Sequence, residues 1–527
     1  MTDPVAEDSF PKRLIYKLSA NVLGVFLSFF QAGMVSRALG PRMYGDYNFL
    51  INFFFQLLGF VEMRSSTFLY TSLSRHKTKT SIVAVYSYLA AGISVLILLV
   101  PVAAIMFGVE TAIWPDQNGF VVILVAAAAL VIWYADLFAK VCDALGLTVS
   151  LERTRAITRI ILFVGIAAAL QWNALNIQSY ITLQVAAYVL LMIVLGRILS
   201  RTSAFAGTSF HPLKIDMRST LGDVVSFSHP LFVYTLAAFV IEYSDRWVLQ
   251  RFNGSTEQGL FSLAVNIGLA FNVLVNALHP LVMREFSVAF EQKDSERARR
   301  VFDKLIRVSY TISAFFLCYA AVNADGLVRI VGGQSFEGAA DVFAIMAFLP
   351  ILNNYSLLSA SALYASHRTR LLRNIGVFMT PLSIAATFFL VGPREYGALN
   401  LGAVGLALKL VMLEFLGNNI ILYFNCKMLN LHFGRHVVHQ IWVAGTFTAT
   451  AWICRYVASF AAGATAANWL VVMLLGGFIY VGVSLVMFYL APSMTGIRAA
   501  DREDALRLLK QAMARPQSAA TGNPPIP

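Results

Sequence analysis

The chain has 527 residues, 58% hydrophobic and 13% charged, with a mean hydropathy of +0.69; soluble domains carry about 25% charged residues, so a water-soluble protein of this size is excluded. The net charge of +12 and a pI near 9.5 do not point to nucleic acid, because Lys and Arg gather in alternate loops, the pattern of membrane topology and of attraction to anionic lipids. The cysteines Cys142, Cys318, Cys426 and Cys454 form no CxxC pair and read as small apolar side chains.

Lys12, Arg13 and Lys17 precede an apolar run too long for a signal-peptide core and without a small-residue cleavage site, so the first helix is expected to stay in the mature protein. Apolar runs long enough to cross the hydrocarbon then predict helices over 14–39, 44–73, 81–108, 119–145, 156–171, 179–199, 221–251, 258–281, 301–323, 340–366, 372–390, 401–424, 437–461 and 469–490. The fold class is an all-α polytopic membrane protein of about 14 transmembrane helices.

With the N-terminus inside, the cytoplasmic segments hold Arg75, Lys77 and Lys79, then Arg153, Arg155 and Arg159, then Arg201, Lys214 and Arg218. Residues 284–307, Arg368, Arg370, Arg373, Lys427, Arg435 and the tail arginines follow on the same side. Outside fall Arg42, Arg251, Arg329 and Arg394, a bias of about 30 to about 4 that places both termini in the cytoplasm.

An internal repeat runs through the turns. Arg37, Gly40, Gly45, Tyr47 and Asn52 match Arg251, Gly254, Gly259, Phe261 and Asn266 at a constant offset of 214. The even number of helices between the copies orients them the same way, a transporter plan of two parallel lobes. The predicted domains are an N-lobe of six helices over 1–200, a cytoplasmic linker over 201–220, a C-lobe over 221–426, two further helices within 427–490, and a cytoplasmic tail over 491–527. In the tail, 501–515 has the spacing of a short amphipathic helix on the inner leaflet, and the final Pro-, Ser- and Ala-rich residues read as disordered.

The run Val35 to Tyr47, with Arg37, Leu39, Gly40, Pro41, Tyr44, Gly45 and Tyr47, resembles the first hairpin of the polysaccharide-transporter and oligosaccharide-flippase family of the multidrug/oligosaccharidyl-lipid/polysaccharide exporter superfamily. Tyr243-Ser244-Asp245-Arg246, Gly259-Leu260-Phe261-Ser262-Leu263-Ala264 and Pro280 are similar to the start of that family's second lobe. The resemblance implies a V-shaped transporter in the bacterial inner membrane that moves undecaprenyl-pyrophosphate-linked oligosaccharide to the periplasmic face by alternating access. Its implied partners are that substrate, a coupling ion (proton or sodium), membrane lipids and polysaccharide assembly proteins, with no cofactor.

An ionised side chain at a helix centre costs about 2.5–3.5 kcal/mol on insertion scales, so charges within spans face protein or a water-filled cavity. Asp136, Lys140 and Asp143 share one helical face, as do Glu242, Asp245 and Arg246. A pyrophosphate needs fixed cations, supplied by an Arg fork or a Lys point charge. Arg64, Lys140, Arg246 and Lys409 are the candidates for that role, with Arg37 at the outer rim; Lys409 stands near mid-span. Glu62, Asp136, Glu242, Asp245 and Glu414 pair with these cations or take up the coupling ion. Structural ion pairs and snorkelling are the competing reading, most of all for Arg37, Asp143 and Arg251 near the interfaces.

His229-Pro230 and His279-Pro280 free helix carbonyls and predict kinks. His432, His436 and His439 have the spacing of metal ligands, but Gly434 interrupts them, which disfavours a site. Phe53, Phe54 and Phe55 read as lipid-facing or packing surface. A membrane polymerase or glycosyltransferase needs a large outer loop, whereas the longest here, 324–338, is short, and neither a P-loop nor HExxH is present, so no enzymatic activity is expected. A drug/cation antiporter of the same superfamily fits the intramembrane cations poorly; a peptidoglycan-precursor flippase shares the pyrophosphate and stays open.

Overall fold

The structure is a computed structural model that describes residues 10–75, 81–202, 217–229, 232–292, 294–366, 368–463, 469–490 and 492. Residues 203–216 of the expected linker 201–220, the expected tail helix over 501–515 and the chain end lie outside the described residues.

The first two predicted spans form α1 (Phe10–Glu62), parted at Gly40, whose φ of 69° and ψ of 170° belong to a region open essentially to glycine. Pro41 then sits in the first turn of the second leg, where its missing N–H is no loss. That leg stops before the expected residue 73. Met63 and Arg64 turn left-handed (φ 48° and 60°), and α2 (Ser65–Arg75) starts with the Ser66 N–H donating to the Glu62 carboxylate at 2.9 Å. A side-chain cap of this kind leaves no trace in apolar periodicity.

After α3 (Ser81–Met106) and the single turn α4 (Glu110–Ile113), Asn118 caps α5 (Gly119–Ala144) by accepting from the Phe120 N–H. The next helix, α6 (Thr148–Gln171), begins before the expected residue 156 because Arg155 pairs with Glu152 one turn back, which carries the charged segment into the helix. A reciprocal box of Asn176 and Ser179 opens α7 (Ile177–Ser200).

The expected helix 221–251 is two, α8 (Met217–Ser228) and α9 (Phe232–Glu291), bent by 60° around His229; Pro230 lies outside the described residues. α9 runs on past residue 281 and is interrupted at Gly254 (φ 84°, ψ 176°). It carries His279-Pro280 within the helix, though those two side chains lie outside the described residues. Asp294 caps α10 (Ser295–Val322) at 2.8 Å from the Arg297 N–H, so the basic run is helical from its start.

The outer connection 324–338 holds a helix of its own, α11 (Ala324–Gly332). α12 (Ala339–Met346) and α13 (Phe348–Ala365) divide the expected helix 340–366 at Ala347. α14 (Thr369–Val391), α15 (Gly402–Met428), α16 (Phe433–Ala461) and α17 (Trp469–Leu490) complete the fold.

Among the described residues, 10 helices are long and apolar enough to cross a bilayer, or 11 with the bent α8–α9 pair. The protein is a multi-pass membrane protein. The sequence expectation of about 14 spans covers the same helices with the Gly40 and Gly254 breaks opened and α16 included. Burial separates core from lipid-facing helices: 61% of the apolar window is buried in α10 and in α12–α13, against 17% in α6. Exposed side chains such as Phe26, Val95, Leu99 and Ile160 form the lipid surface.

The chain separates into two compact units. The first comprises Met1–Val273, Val328–Phe343 and Val377–Lys409; in it α1 packs on α6 and α5 on α7. The second comprises Leu274–Leu327, Ala344–Gly376 and Leu410–Pro527, with α10 packed on α13 and α16, and α16 on α17.

Within the first unit the two glycine hairpins pack reciprocally. A Cβ on Gly45 would fall 1.9 Å from the Ser255 carbonyl oxygen, and one on Gly259 would fall 2.0 Å from that of Pro41. Both the glycines and the carbonyls they meet are related by the offset of 214. The repeat is therefore a contact of two copies through a local two-fold relation, and only glycine permits the backbones to come so close.

Candidate functional site: a charged cluster in the first unit

The second leg of α1 and the first leg of α9 present a narrow cleft lined by Phe49, Asn52, Phe53, Gln56, Glu242, Tyr243 and Arg246. Glu242 and Arg246 stand one turn apart on the same helix face. The Gln56 amide donates to Glu242. The Arg246 guanidinium donates to Ser262 Oγ at 3.0 Å and lies 5.2 Å from the Phe261 ring centre. Among the described residues it makes no ion pair within 4 Å, which leaves N–H donors of a fixed fork uncommitted beside the cleft.

Asp245, on the buried side of α9, meets a different fate. Lys409 Nζ donates to both its oxygens, at 2.8 and 2.6 Å, and the Thr387 hydroxyl donates to one of them at 2.5 Å. The Lys409 and Asp245 side chains are 1% and 8% exposed. The pair is closed on itself, which lets an ammonium and a carboxylate persist near mid-span.

The remaining candidates lie apart from this cluster. Lys140 donates to Ser66 Oγ at 2.8 Å and pairs with Asp136 at 2.9 Å; Arg155 reaches the other oxygen of Asp136 at 3.7 Å. Glu62 is buried and accepts from the Trp133 indole at 3.0 Å as well as from Ser66. Arg64, at the break above it, is exposed. Arg37 donates to the carbonyls of Arg329 and Ile330, and its neighbour Ser36 to Val331.

The repeat-related segment makes the matching grip: Gln250 donates to the Pro115 carbonyl, Trp247 to Ala112 and Tyr243 to Ile113. Arg37 thus serves as a latch between helix and connection. Asp143 pairs with Lys17 at 3.3 Å. Glu414 lies in the second unit beside Ser356 and Asn418.

Sequence reading missed Gln56 and Thr387, and held Ser262 only as part of a family motif; the three make polar contacts to Glu242, Asp245 and Arg246. The available signal was Ser383 and Thr387, one turn apart in the apolar run of α14. Phe53 and Phe54 are buried, with Phe53 5.3 Å from Trp114 and 5.4 Å from Tyr243 between ring centres, whereas Phe55 is exposed. Of the histidine trio, His432 precedes α16 as its cap residue and His436 Nε2 faces Asp303 at 3.6 Å.

Residues 11–284 match the family model described as polysaccharide biosynthesis protein, over half of the chain. The chain belongs to the polysaccharide biosynthesis protein family. Its fold is similar to that of solved transporters of low sequence identity. One solved structure similar to this family member is the lipid II flippase MurJ in an inward closed conformation, at a TM-score of 0.67 and 11% identity over 90% of this chain and 99% of that one. A second is an inward-facing multidrug resistance MATE family transporter of the MOP superfamily (TM-score 0.55, 12% identity, 79% and 95% covered). A third is a MOP superfamily transporter from Pyrococcus furiosus whose binding pocket is described as of reverse polarity (TM-score 0.53, 12% identity, 80% and 97% covered). No curated protein matches the sequence significantly.

Proposed function

We propose that the protein is a flippase that carries an undecaprenyl-pyrophosphate-linked oligosaccharide from the cytoplasmic to the periplasmic leaflet of the bacterial inner membrane, by alternating access and coupled to an ion. In this reading both termini are cytoplasmic, 1–200 and 221–426 are the two lobes, and the product feeds lipopolysaccharide or exopolysaccharide assembly. The observation that carries it is Arg246: a guanidinium held inside an apolar protein, anchored by one serine and one ring, with free donors at a cleft. Glu242, one turn away, offsets part of the cost of that cation, the free donors leave room for a second anion, and a bidentate fork suits a pyrophosphate. Glu242, held by Gln56, limits how long the anion stays.

Lys140 beside Ser66 and the exposed Arg64 extend the cationic path along the same unit. Lys409 acts through Asp245, and Arg37 through its latch on the outer connection. A lipid II-type precursor is the second reading, supported by the fold shared with MurJ, since it presents the same lipid pyrophosphate.

Reconstituted vesicles loaded with fluorescent undecaprenyl-pyrophosphate oligosaccharide test the proposal. The wild type is expected to move it across the bilayer, and Arg246→Ala to slow it at least about ten-fold while Arg246→Lys recovers part of the rate. Unchanged transport in Arg246→Ala removes the assigned anion contact; preference for a lipid II cargo favours the second reading.

A further inference from the structure

The second unit contains a buried polar seam that the transport reading does not use. On α15, Asn418 Nδ2 donates to the Leu352 carbonyl at 2.8 Å and Asn425 Nδ2 to the Ser359 carbonyl at 2.9 Å. Both partners lie on α13, and the bonds are seven residues apart on each helix, so α13 and α15 run side by side in register over about 10 Å. Tyr355 stands between the two levels. From α16, Gln440 joins at the same depth: its carbonyl accepts from Tyr310 at 3.1 Å, its amide donates to Asn419 at 3.2 Å, and the Tyr310 and Tyr355 rings meet edge to face at 5.7 Å.

Three of these side chains share one defect. Asn418 Oδ1, Asn425 Oδ1 and Ser359 Oγ are buried with no hydrogen-bond partner, and the Tyr355 hydroxyl has the Gln440 side chain beside it as its partner. Their residues are at most 2% exposed. Leaving several such groups unpaired in apolar surroundings is expensive, and they recur along one line rather than at scattered points. Buried waters bonded to successive groups would resolve it.

The line has an ionisable group at each end. At the basic end of α10, Asp303 is held by Arg307 at 3.3 Å and faces His436 Nε2 at 3.6 Å, one turn before Gln440 on α16. Asp303 is also within electrostatic reach of Cys426 and Tyr355, which sets it at the Asn425 end of the seam. At the other end, one turn before Asn418, lies Glu414, whose neighbours are the neutral Ser356 and Asn418. Among the described residues it has no ion-pair partner within 4 Å, so it differs from Asp245, which is closed by a lysine.

We infer that a file of internal water runs between α13, α15 and α16 from the Asp303–His436 pair to Glu414, and that Glu414 takes up and releases a proton through it. The groups facing the path are Asp303, Arg307 and Tyr310 from α10, Tyr355, Ser356 and Ser359 from α13, Asn418, Asn419 and Asn425 from α15, and His436 and Gln440 from α16. An unpaired carboxylate in such surroundings is stable when protonated and ionises when water reaches it, which is the behaviour of a proton-exchanging group. That this proton is the coupling ion rests on the flippase reading; its existence and its path do not.

Infrared difference spectroscopy during a pH jump on the full-length protein in vesicles, without lipid-linked substrate, tests it. A protonated-carboxyl band that shifts in D₂O is expected in the wild type and absent in Glu414→Gln. Ser359→Leu, which puts a bulky apolar side chain into the file, is expected to keep the band and slow its equilibration at least ten-fold; if that variant does not fold, Asn425→Leu carries the same expectation. A band that survives Glu414→Gln overturns the proton site, and equilibration at the wild-type rate in the folded plug variant overturns the path. A normal result here with no lipid transport in the vesicle assay counts against the flippase reading alone.

Discussion

Two intramembrane carboxylates, Asp245 in the first unit and Glu414 in the second, are handled in opposite ways. Asp245 receives an ammonium on both oxygens and a hydroxyl on one, and is shut from solvent. Glu414 lies beside a serine and an asparagine and, among the described residues, has no ion-pair partner within 4 Å. The contrast separates an acid closed by a counter-ion of its own, which serves as structure, from one among neutral groups, to which we assign the proton exchange. Arg246, on the same helix as Asp245, makes no ion pair within 4 Å among the described residues.

The sharpest way to break this comparison is to unpair Asp245. Lys409→Ala leaves a buried carboxylate without compensation and is expected to cost about 3–5 kcal/mol of stability, read as a large fall in the thermal midpoint in detergent. Replacing both partners, with Asp245→Leu and Lys409→Met, is expected to restore most of that loss, because the desolvation cost disappears with the charges. If Lys409→Ala unfolds at the wild-type temperature, the pair is not a structural closure, and Lys409 returns to the list of cations free to meet an anion.

A smaller effect separates backbone from side-chain control in the first unit. Gly45→Ala and Gly259→Ala each drive a Cβ to about 2 Å of a carbonyl oxygen across the hairpin contact. Gly40→Ala instead strains a backbone of positive φ with open space around it. The strain term is about 1–3 kcal/mol. The two close-approach variants are expected to match one another and to exceed Gly40→Ala, in thermal unfolding and in loss of transport. Unequal losses at Gly45 and Gly259 break the two-fold reading of the hairpins.

These differences also explain how much was legible in the sequence. The spans were readable because apolar length is set by the bilayer, and the repeat because Gly40, Gly45, Gly254 and Gly259 are required by backbone geometry that no other residue supplies. The charge trio on α9 was visible as a face. Its division into a sealed Asp245 and an open Arg246 was not, because that depends on Lys409 and Ser262, distant in sequence and brought up by packing. Likewise the break at Met63-Arg64 depends on Glu62 turning back to cap Ser66, and the latch of Arg37 on carbonyls of the α11 connection. The seam in the second unit is built from Asn, Gln, Ser and Tyr, residues that read as ordinary polar interruptions until their register aligns.

The least perturbing substitution is the most discriminating. Glu414→Gln keeps the shape and the hydrogen-bonding capacity of a protonated glutamic acid, so if Glu414 spends the resting state neutral, its stability change should stay within about 0.5 kcal/mol at neutral pH. Were Glu414 ionised and held by a hidden cation, the same change would leave that cation unpaired and cost as much as breaking Asp245 from Lys409. Thermal unfolding of Glu414→Gln beside Lys409→Ala therefore decides whether the two units treat their acids differently: a near-silent Glu414→Gln with a crippled Lys409→Ala upholds the contrast, and equal losses abolish it.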